Sequence, residues 1–301
     1  MALIRLNVSP ETGRIELHQS PQCAQRVLQS AAQSSGPIII MIHGYKYQPG
    51  SARHCPHRSI FDAATGWPAQ LGVTAGAGLG ICFGWAARGS LARMFETAQQ
   101  VGQQLAQVIA TVHKAAPHRA VHLVAHSMGA EVALSALAQS AKGAVSRVVL
   151  ITGASFQSHA ARALRSPAGK TAEIFNITSR ENDLFDFVFE RLLAQDAPED
   201  RALGQGITAP NALNIQLDCP DTLAALTTLG CGIAPPQSHI CHWSGYTRPG
   251  ALAFYAQLLA HPDLLSLPRV ASLLPPRPSP RWSRLPLAGL TKTRIMGRLP
   301  A

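Results

Sequence analysis

Five short apolar runs alternate with stretches in which apolar residues recur every three or four positions. The runs are "PIIIMIHG" from Pro37, "AGLGICFGW" from Ala77, "AVHLVA" from Ala120, "SRVVLIT" from Ser146 and "AEIFNIT" from Ala172. This alternation limits the fold more than any other feature. Parallel strands need a crossover between them, usually a helix, and runs apolar at successive positions suit strands covered on both faces. The clearest helical spacing places Leu91, Met94, Phe95, Ala98, Val101, Leu105, Val108, Ile109 and Val112 on one face between Leu91 and Ala115, with Pro117 closing it. Further helices are expected from Met128 to about Ala141, from about Ser158 to Leu164 and from near Leu184. "ALNIQL" at Ala212–Leu217 reads as the last strand and "GALAFYAQLLA" from Gly250 as the last helix. "ALIRLNV" and "RIELHQ", on either side of "SPETG", predict an antiparallel hairpin at one edge. The fold class is therefore α/β: a mostly parallel central sheet flanked by helices, with an N-terminal antiparallel hairpin.

Composition sets the scale of this fold. With 301 residues, 47% of them hydrophobic, the chain can bury a full core, and residues 1–262 are expected to form one domain. Charged residues make up 14%, against about 25% in an average soluble protein, yet the formal net charge is +10. From His261 onward Arg269, Arg277, Arg281, Arg284, Lys292, Arg294 and Arg298 face the single acid Asp263, so the excess positive charge is concentrated there. Residues 263–301, rich in proline and arginine and lacking sustained periodicity, predict a flexible C-terminal tail. A solvated tail is the expected reading; weak contact with an anionic membrane is the alternative, and no specific nucleic acid is expected as a partner. Apolar stretches of 18 or more residues are absent, the start "MALIRLNVSP" is unlike a secretory signal, and the six cysteines follow no framework spacing. A reduced, cytoplasmic protein is the expectation.

The chemistry concentrates in "VHLVAHSMGAEVAL", residues 121–134, where a strand gives way to a helix with Ser127 at the join. An ordinary turn serine capping the helix would explain the hydroxyl alone. A nucleophile would explain more. A sharp strand-to-helix turn pushes the serine out from the sheet and aims the first helical amides at an oxyanion, provided the positions two before and two after are small. They are Ala125 and Gly129.

With "HG" in "IIIMIHGYKYQPG" and "AHSMG" in the elbow, the sequence resembles the α/β-hydrolase superfamily, in particular its lipase- and esterase-like serine hydrolases. The resemblance runs in element order from roughly Ile38 to Ala260. It departs from the family's G-x-S-x-G pattern by one methyl group, at Ala125. The resemblance implies a serine hydrolase acting on an ester or related acyl bond of a small molecule through an acyl-enzyme, with Ser127 as nucleophile and no cofactor. The family's order of serine, acid and histidine then directs the search for partners. In "AEIFNITSRENDLFDF" Asp183 is the preferred acid, with Glu181 and Asp186 as competitors. Asp183 also suits an N-cap, and Asp186 falls within the following helix. Before the last helix stand His242, the preferred base, and His239, the alternative. The resemblance further implies an oxyanion hole from the backbone amides of Met128 and Tyr45. His43 and Gly44 order the loop after the first buried strand, and His126 packs beneath the pocket. Residues 45–76, weakly periodic, are expected to contribute a cap.

Other constellations are weaker. His54, Cys55 and His57, and Cys231, His239, Cys241 and His242, lack ligand-pair spacing, so no metal site is expected. "GAGLG" at Gly76–Gly80 precedes a strand, the wrong order for a phosphate loop. The alternative function is a catalytically silent hydrolase fold used for binding or scaffolding, its basic tail touching an anionic membrane or nucleic acid.

Overall fold

The structure, a computed structural model, describes residues 3–193, 197 and 199–281. Eight strands form one sheet: β1 (Leu3–Val8), β2 (Ile15–Leu17), β3 (Ile38–Ile42), β4 (Leu79–Gly84), β5 (Val121–His126), β6 (Arg147–Ile151), β7 (Glu173–Thr178) and β8 (Ala212–Gln216). The helices are α1 (Ala24–Ala31), α2 (Trp67–Gln70), α3 (Leu91–Ala115), α4 (Gly129–Gln139), α5 (Gln157–Arg165), α6 (Asp183–Leu192), α7 (Pro220–Thr228), α8 (Ser244–Thr247), α9 (Ala251–Ala260) and α10 (Leu267–Leu273).

The strand order is β2-β1-β4-β3-β5-β6-β7-β8; β1 and β2 pair antiparallel and every other neighbouring pair is parallel. This is the expected architecture, including the edge hairpin. Alternate residues of the central strands enter two separate cores, as the two-residue repeat of a strand demands. Ile38, Ile40, Ile42, Leu123, Ala125, Val148 and Leu150 pack with Leu28 of α1, Leu105 of α3, Leu134 of α4 and Ala160 of α5. Ile39, Met41, Val124, Val149 and Ile151 pack on the opposite face with Trp67 of α2, Phe254 and Leu258 of α9 and Val270 of α10. Every residue of β3 is buried, which explains why its sequence shows no polar alternation. Each such side chain contributes roughly 1.5–3 kcal/mol on leaving water. On α3 the buried residues follow the predicted face, and Ser90 caps the helix by accepting from Arg93 N.

After α9 the fold departs from expectation. The first part of the segment predicted as a tail from residue 263 is folded: Leu265, Leu267 and Val270 are buried, and α10 covers the same face as α9. Buried Arg147 on β6 anchors the end of α9 by donating to Leu258 O and Pro262 O while pairing with Glu173 at 2.7 Å. Residues 282–301 of the expected tail lie outside the described residues.

Crossing from β3 to β4 takes the chain to one side, and β5 then inserts on the other side of β3. The loops after β3 and β5 therefore diverge at the carboxyl end of the sheet, where doubly wound folds leave a crevice. Registers such as Ile42 with Ala125 and His126 with Ile151 bring these strand ends level.

Candidate active site

Ser127 occupies this crevice with φ of 54°, a left-handed conformation that costs a non-glycine residue about 1–3 kcal/mol. Its neighbours hold it there. Ser127 N donates to Ile151 O at 3.0 Å, and its carbonyl accepts from Ala130 N and Ala154 N, both at 2.9 Å. The two flanking glycines matter for contact. A Cβ on Gly44 would stand 2.7 Å from Ser127 Cβ, and one on Gly129 would stand 2.7 Å from His43 O. Loop and elbow thus pack backbone to backbone.

His43 sits fully buried at the end of that loop, stacked on Trp85 at 5.7 Å between ring centroids. Its Nε2 accepts from Trp85 N at 3.1 Å, so Nδ1 carries the proton and donates to Gly44 O at 2.8 Å. Burial lowers its pKa to about 4, which keeps the ring neutral. His126, on the strand side of the elbow, is also buried; its Nε2 donates to His242 O at 3.1 Å, and Tyr246 lies edge-on to its ring. Its pKa is pushed well below the usual range by burial, then by the neighbouring His242.

His242 meets the serine. Its Nε2 lies 2.8 Å from Ser127 Oγ, and its backbone carbonyl is fixed by His126 and by Thr152 Oγ1 at 3.3 Å. Burial lowers its pKa to about 4, so the ring is neutral at pH 7 and able to accept a proton. His239 is exposed and does not line the cavity beside Ser127.

On the far side of the imidazole the structure differs from the sequence expectation. Asn182 Oδ1, a carboxamide oxygen, lies 2.6 Å from His242 Nδ1. Asp183, expected there, turns its Oδ1 to Arg281 at 2.7 Å. The physical reason lies in how the loop after β7 is clamped. Glu181, one of the competing acids, is buried against Arg248 and accepts from Ser179 Oγ at 2.9 Å, while Cys241 N donates to Glu181 O at 2.9 Å. Arg180 is held by Asp218 through its backbone N and its Nε. With both preceding side chains committed, the 3-10 turn at Arg180–Asn182 presents Asn182 to the histidine and Asp183 opens α6. Asp186, the other competitor, accepts from Asn182 Nδ2 at 3.0 Å and pairs with Arg281 at 2.5 Å. Burial raises the Asp186 pKa to about 7; Arg281 opposes this, and Asp183 adds to it.

A search for carboxylates could not find Asn182. Only its place after β7 marked it, and its Oδ1 offers the same acceptor an aspartate would. Nothing local marked Arg281 either, since it arrives from 98 residues away.

Ser127, Met128, His126, Asn182 and His242 border a cavity of about 690 Å³. Its lining is of two kinds. Leu184, Phe185, Val188 and Phe189 of α6, with Trp243, form an apolar side. Tyr45, Lys46, Tyr47, Arg53, His54 and Ser59 form the other. Only the first part of the stretch expected as a cap lines the cavity. Phe61, Trp67, Leu71 and Val73 instead enter the core beneath the sheet. Among the described residues no group of three or more His, Cys, Asp or Glu side chains converges on a position for a metal ion, and no helix is long and apolar enough to cross a membrane.

The family comparison agrees with this architecture. Residues 20–157 match the family described as "Alpha/beta hydrolase of unknown function (DUF900)". That segment spans β3, the elbow serine and α4, and stops before Asn182 and His242. A search of curated proteins finds no match. Among solved structures, the chain is similar to one described as MenH from S. aureus, at 10% identity and a TM-score of 0.32, over 61% of this chain and 86% of that one.

Proposed function

We propose that this chain, which belongs to the α/β-hydrolase superfamily, is a serine hydrolase cleaving a carboxylic ester or related acyl bond through an acyl-enzyme. The observation that carries the reading is a neutral histidine 2.8 Å from the hydroxyl of a serine held at φ 54° at the edge of a cavity. In this reading His242 Nε2 takes the Ser127 proton as the hydroxyl attacks the acyl carbon. It then returns the proton to the leaving group, and in a second cycle it activates water against the acyl-serine. Asn182 Oδ1 holds the His242 Nδ1 proton and thereby the ring's orientation.

Met128 N, at the N-terminus of α4, supplies one oxyanion donor in this proposal and Tyr45 N the other. His43 supports the second. In a trans peptide the carbonyl and the next N–H point opposite ways, so fixing Gly44 O on the His43 ring directs Tyr45 N–H away from that ring. The apolar wall of α6 suits an apolar acyl group.

One observation favours a second reading. A carboxamide stabilises an imidazolium less than a carboxylate does, as expected of a catalytically silent fold kept for binding. Labelling with a fluorophosphonate probe separates the two. Wild type and the His239→Ala variant are expected to label, while Ser127→Ala and His242→Ala are not. Full labelling of Ser127→Ala would remove Ser127 as nucleophile, and an unlabelled wild type would favour the silent fold.

A further inference from the structure

An asparagine beside a catalytic histidine presents a choice that an aspartate does not. Its two ends are nearly the same shape, but one accepts and the other donates. With Oδ1 toward His242, Nδ1 keeps its proton and Nε2 offers a lone pair to Ser127. With the NH2 group toward His242, Nδ1 must become the acceptor, Nε2 takes the proton, and the ring no longer serves as a base. In serine hydrolysis the wrong tautomer costs about ten-thousandfold in kcat. Something must therefore decide which end of Asn182 faces the ring.

We propose that Asp186 is a positioning residue of this site: by accepting from Asn182 Nδ2 it turns Oδ1 toward His242 and so selects the tautomer that leaves Nε2 free for Ser127. The catalytic part of this inference rests on the serine-hydrolase reading; the orientation itself does not. The distances form one chain, 2.8 Å from Ser127 Oγ to His242 Nε2, 2.6 Å from His242 Nδ1 to Asn182 Oδ1, and 3.0 Å from Asn182 Nδ2 to Asp186 Oδ1. Every group in it is buried or nearly so, and Asn182 and Asp186 are each no more than 3% exposed.

Asp186 is itself fixed from behind. Its second oxygen accepts from Arg281, whose Nη1 also donates to Gly204 O at 2.5 Å. The fit is close, since a Cβ on Gly204 would stand 1.9 Å from Asp186 Oδ2. Both carboxylate oxygens thus face donors, one from Asn182 and one from a guanidinium. A carboxylate satisfies both because it has no donor end. An asparagine at 186 cannot: its oxygen would go to the cationic Arg281, the stronger donor, leaving its NH2 group against Asn182 Nδ2. Asn182 would relieve that conflict by turning over, with its own NH2 now toward His242. The C-terminal segment beyond α10 thereby reaches the catalytic histidine through three hydrogen bonds, and this is a role for Arg281 quite different from that of a solvated tail cation.

The test exchanges the two side chains. Asp186→Asn is expected to lower kcat by about a hundredfold to ten-thousandfold with KM within a few-fold of wild type. The double variant Asn182→Asp/Asp186→Asn conserves charge and restores an acceptor at His242, because an aspartate at 182 has no wrong end. It is expected to recover kcat to within about tenfold of wild type. The 15N resonances of His242 read the tautomer directly: Nδ1–H in wild type and in the exchange variant, Nε2–H in Asp186→Asn. A kcat for Asp186→Asn within threefold of wild type, an exchange variant as impaired as the single one, or an unchanged His242 tautomer in Asp186→Asn would each overturn the proposal. The nitrogen spectra need no substrate. A tautomer change in a protein that fluorophosphonate does not label would sink the hydrolase reading and leave the positioning role intact.

Discussion

Two groupings of serine, histidine and a carbonyl-bearing partner among the described residues are built in opposite ways. At the end of β5, Ser127 is strained and borders the cavity, His242 touches it, and the third member is the neutral Asn182. Between α4 and α5, Glu131 Oε1 lies 2.8 Å from His159 Nδ1 and Glu131 Oε2 accepts from Ser155 Oγ at 2.5 Å. The second grouping has the carboxylate that the first lacks. It also points the wrong way for chemistry: the serine proton is already given to the carboxylate, the imidazole packs against Phe95 and Phe156, and none of the three lines the cavity. On the proposed reading, the contrast means that residue types alone do not make a nucleophile. What separates the two sites is the direction of the serine's hydrogen bond and whether a reacting carbon can approach it.

The largest effect expected separates the two serines by turnover. Ser127→Ala should reduce ester hydrolysis by about ten-thousandfold or more, the scale of removing a nucleophile. Ser155→Ala should leave kcat within about threefold of wild type. Hydrolysis of a short p-nitrophenyl ester checks both, and equal losses in the two variants would erase the distinction drawn between the sites.

Acid should act on stability and on activity in different ranges. His43, His122 and His242 have pKa values lowered to about 4 and His57 to about 3, chiefly by burial. Unfolding restores their ordinary value near 6.5, so between there and about 4 the unfolded chain binds more protons than the native one. Stability is therefore full above pH 6.5 and falls as pH drops through that window. Each unit of lowering is worth about 1.4 kcal/mol, and four such groups together rival the whole stability of an ordinary domain, about 5–15 kcal/mol. Asp186 runs against them: its pKa, raised to about 7, adds stability as pH falls below that value. One group against four should not reverse the trend, and a melting temperature that is flat from pH 7 to 4.5 would contradict it. Activity should decline earlier, near pH 7, because a protonated Asp186, faced by Asp183 and Arg281, no longer offers Asn182 a free acceptor. The Asn182→Asp/Asp186→Asn enzyme should lack that limb.

Removing the carboxylate itself sharpens the comparison on the stability axis. Glu131→Ala leaves a buried imidazole and a buried hydroxyl without their shared acceptor, and about 3–5 kcal/mol should be lost. Asn182→Ala faces the cavity and should cost less stability while costing far more turnover. Urea titration of both variants beside their kcat values measures the crossover. Matching losses on both axes would mean that the two groupings are energetically alike.

The sequence made legible what depended on local period and order. Leu91–Ala115 shows its apolar face and closing proline in the chain, and the helix has those limits. Ser127 and His242, 115 residues apart, were paired by the order in which elements occur, and they stand in contact. Charge does not single out Asn182, because the loop after β7 spends its charges on Arg248, Asp218 and Arg281 and turns an uncharged side chain to the ring. The segment after Pro262 carries no helical signal in the sequence because α10 has only seven residues, too few to show a period, and opens with Pro268 in its first turn. Its burial depends on Leu267 and Val270 meeting a surface that no local pattern announces.

The smallest expected effect falls on Ser155, the hydroxyl to which the proposed reading gives no part in the chemistry. Ser155→Ala removes one hydrogen bond to a charged acceptor, worth about 1.5–3 kcal/mol, while Glu131 keeps His159 as a partner. The loss should sit toward the low end of that range, because the carboxylate is not left unsatisfied. A Ser155→Cys variant keeps a weak donor at the same position and should recover part of it. Urea midpoints of the two variants decide the matter: no loss in either would mean that the short bond to Glu131 adds nothing net. A loss above about 3 kcal/mol would mean that Ser155 supports the loop after β6, whose Ala154 N holds the Ser127 carbonyl. In that case the two groupings would be mechanically joined, and Ser155→Ala should then also slow fluorophosphonate labelling of Ser127.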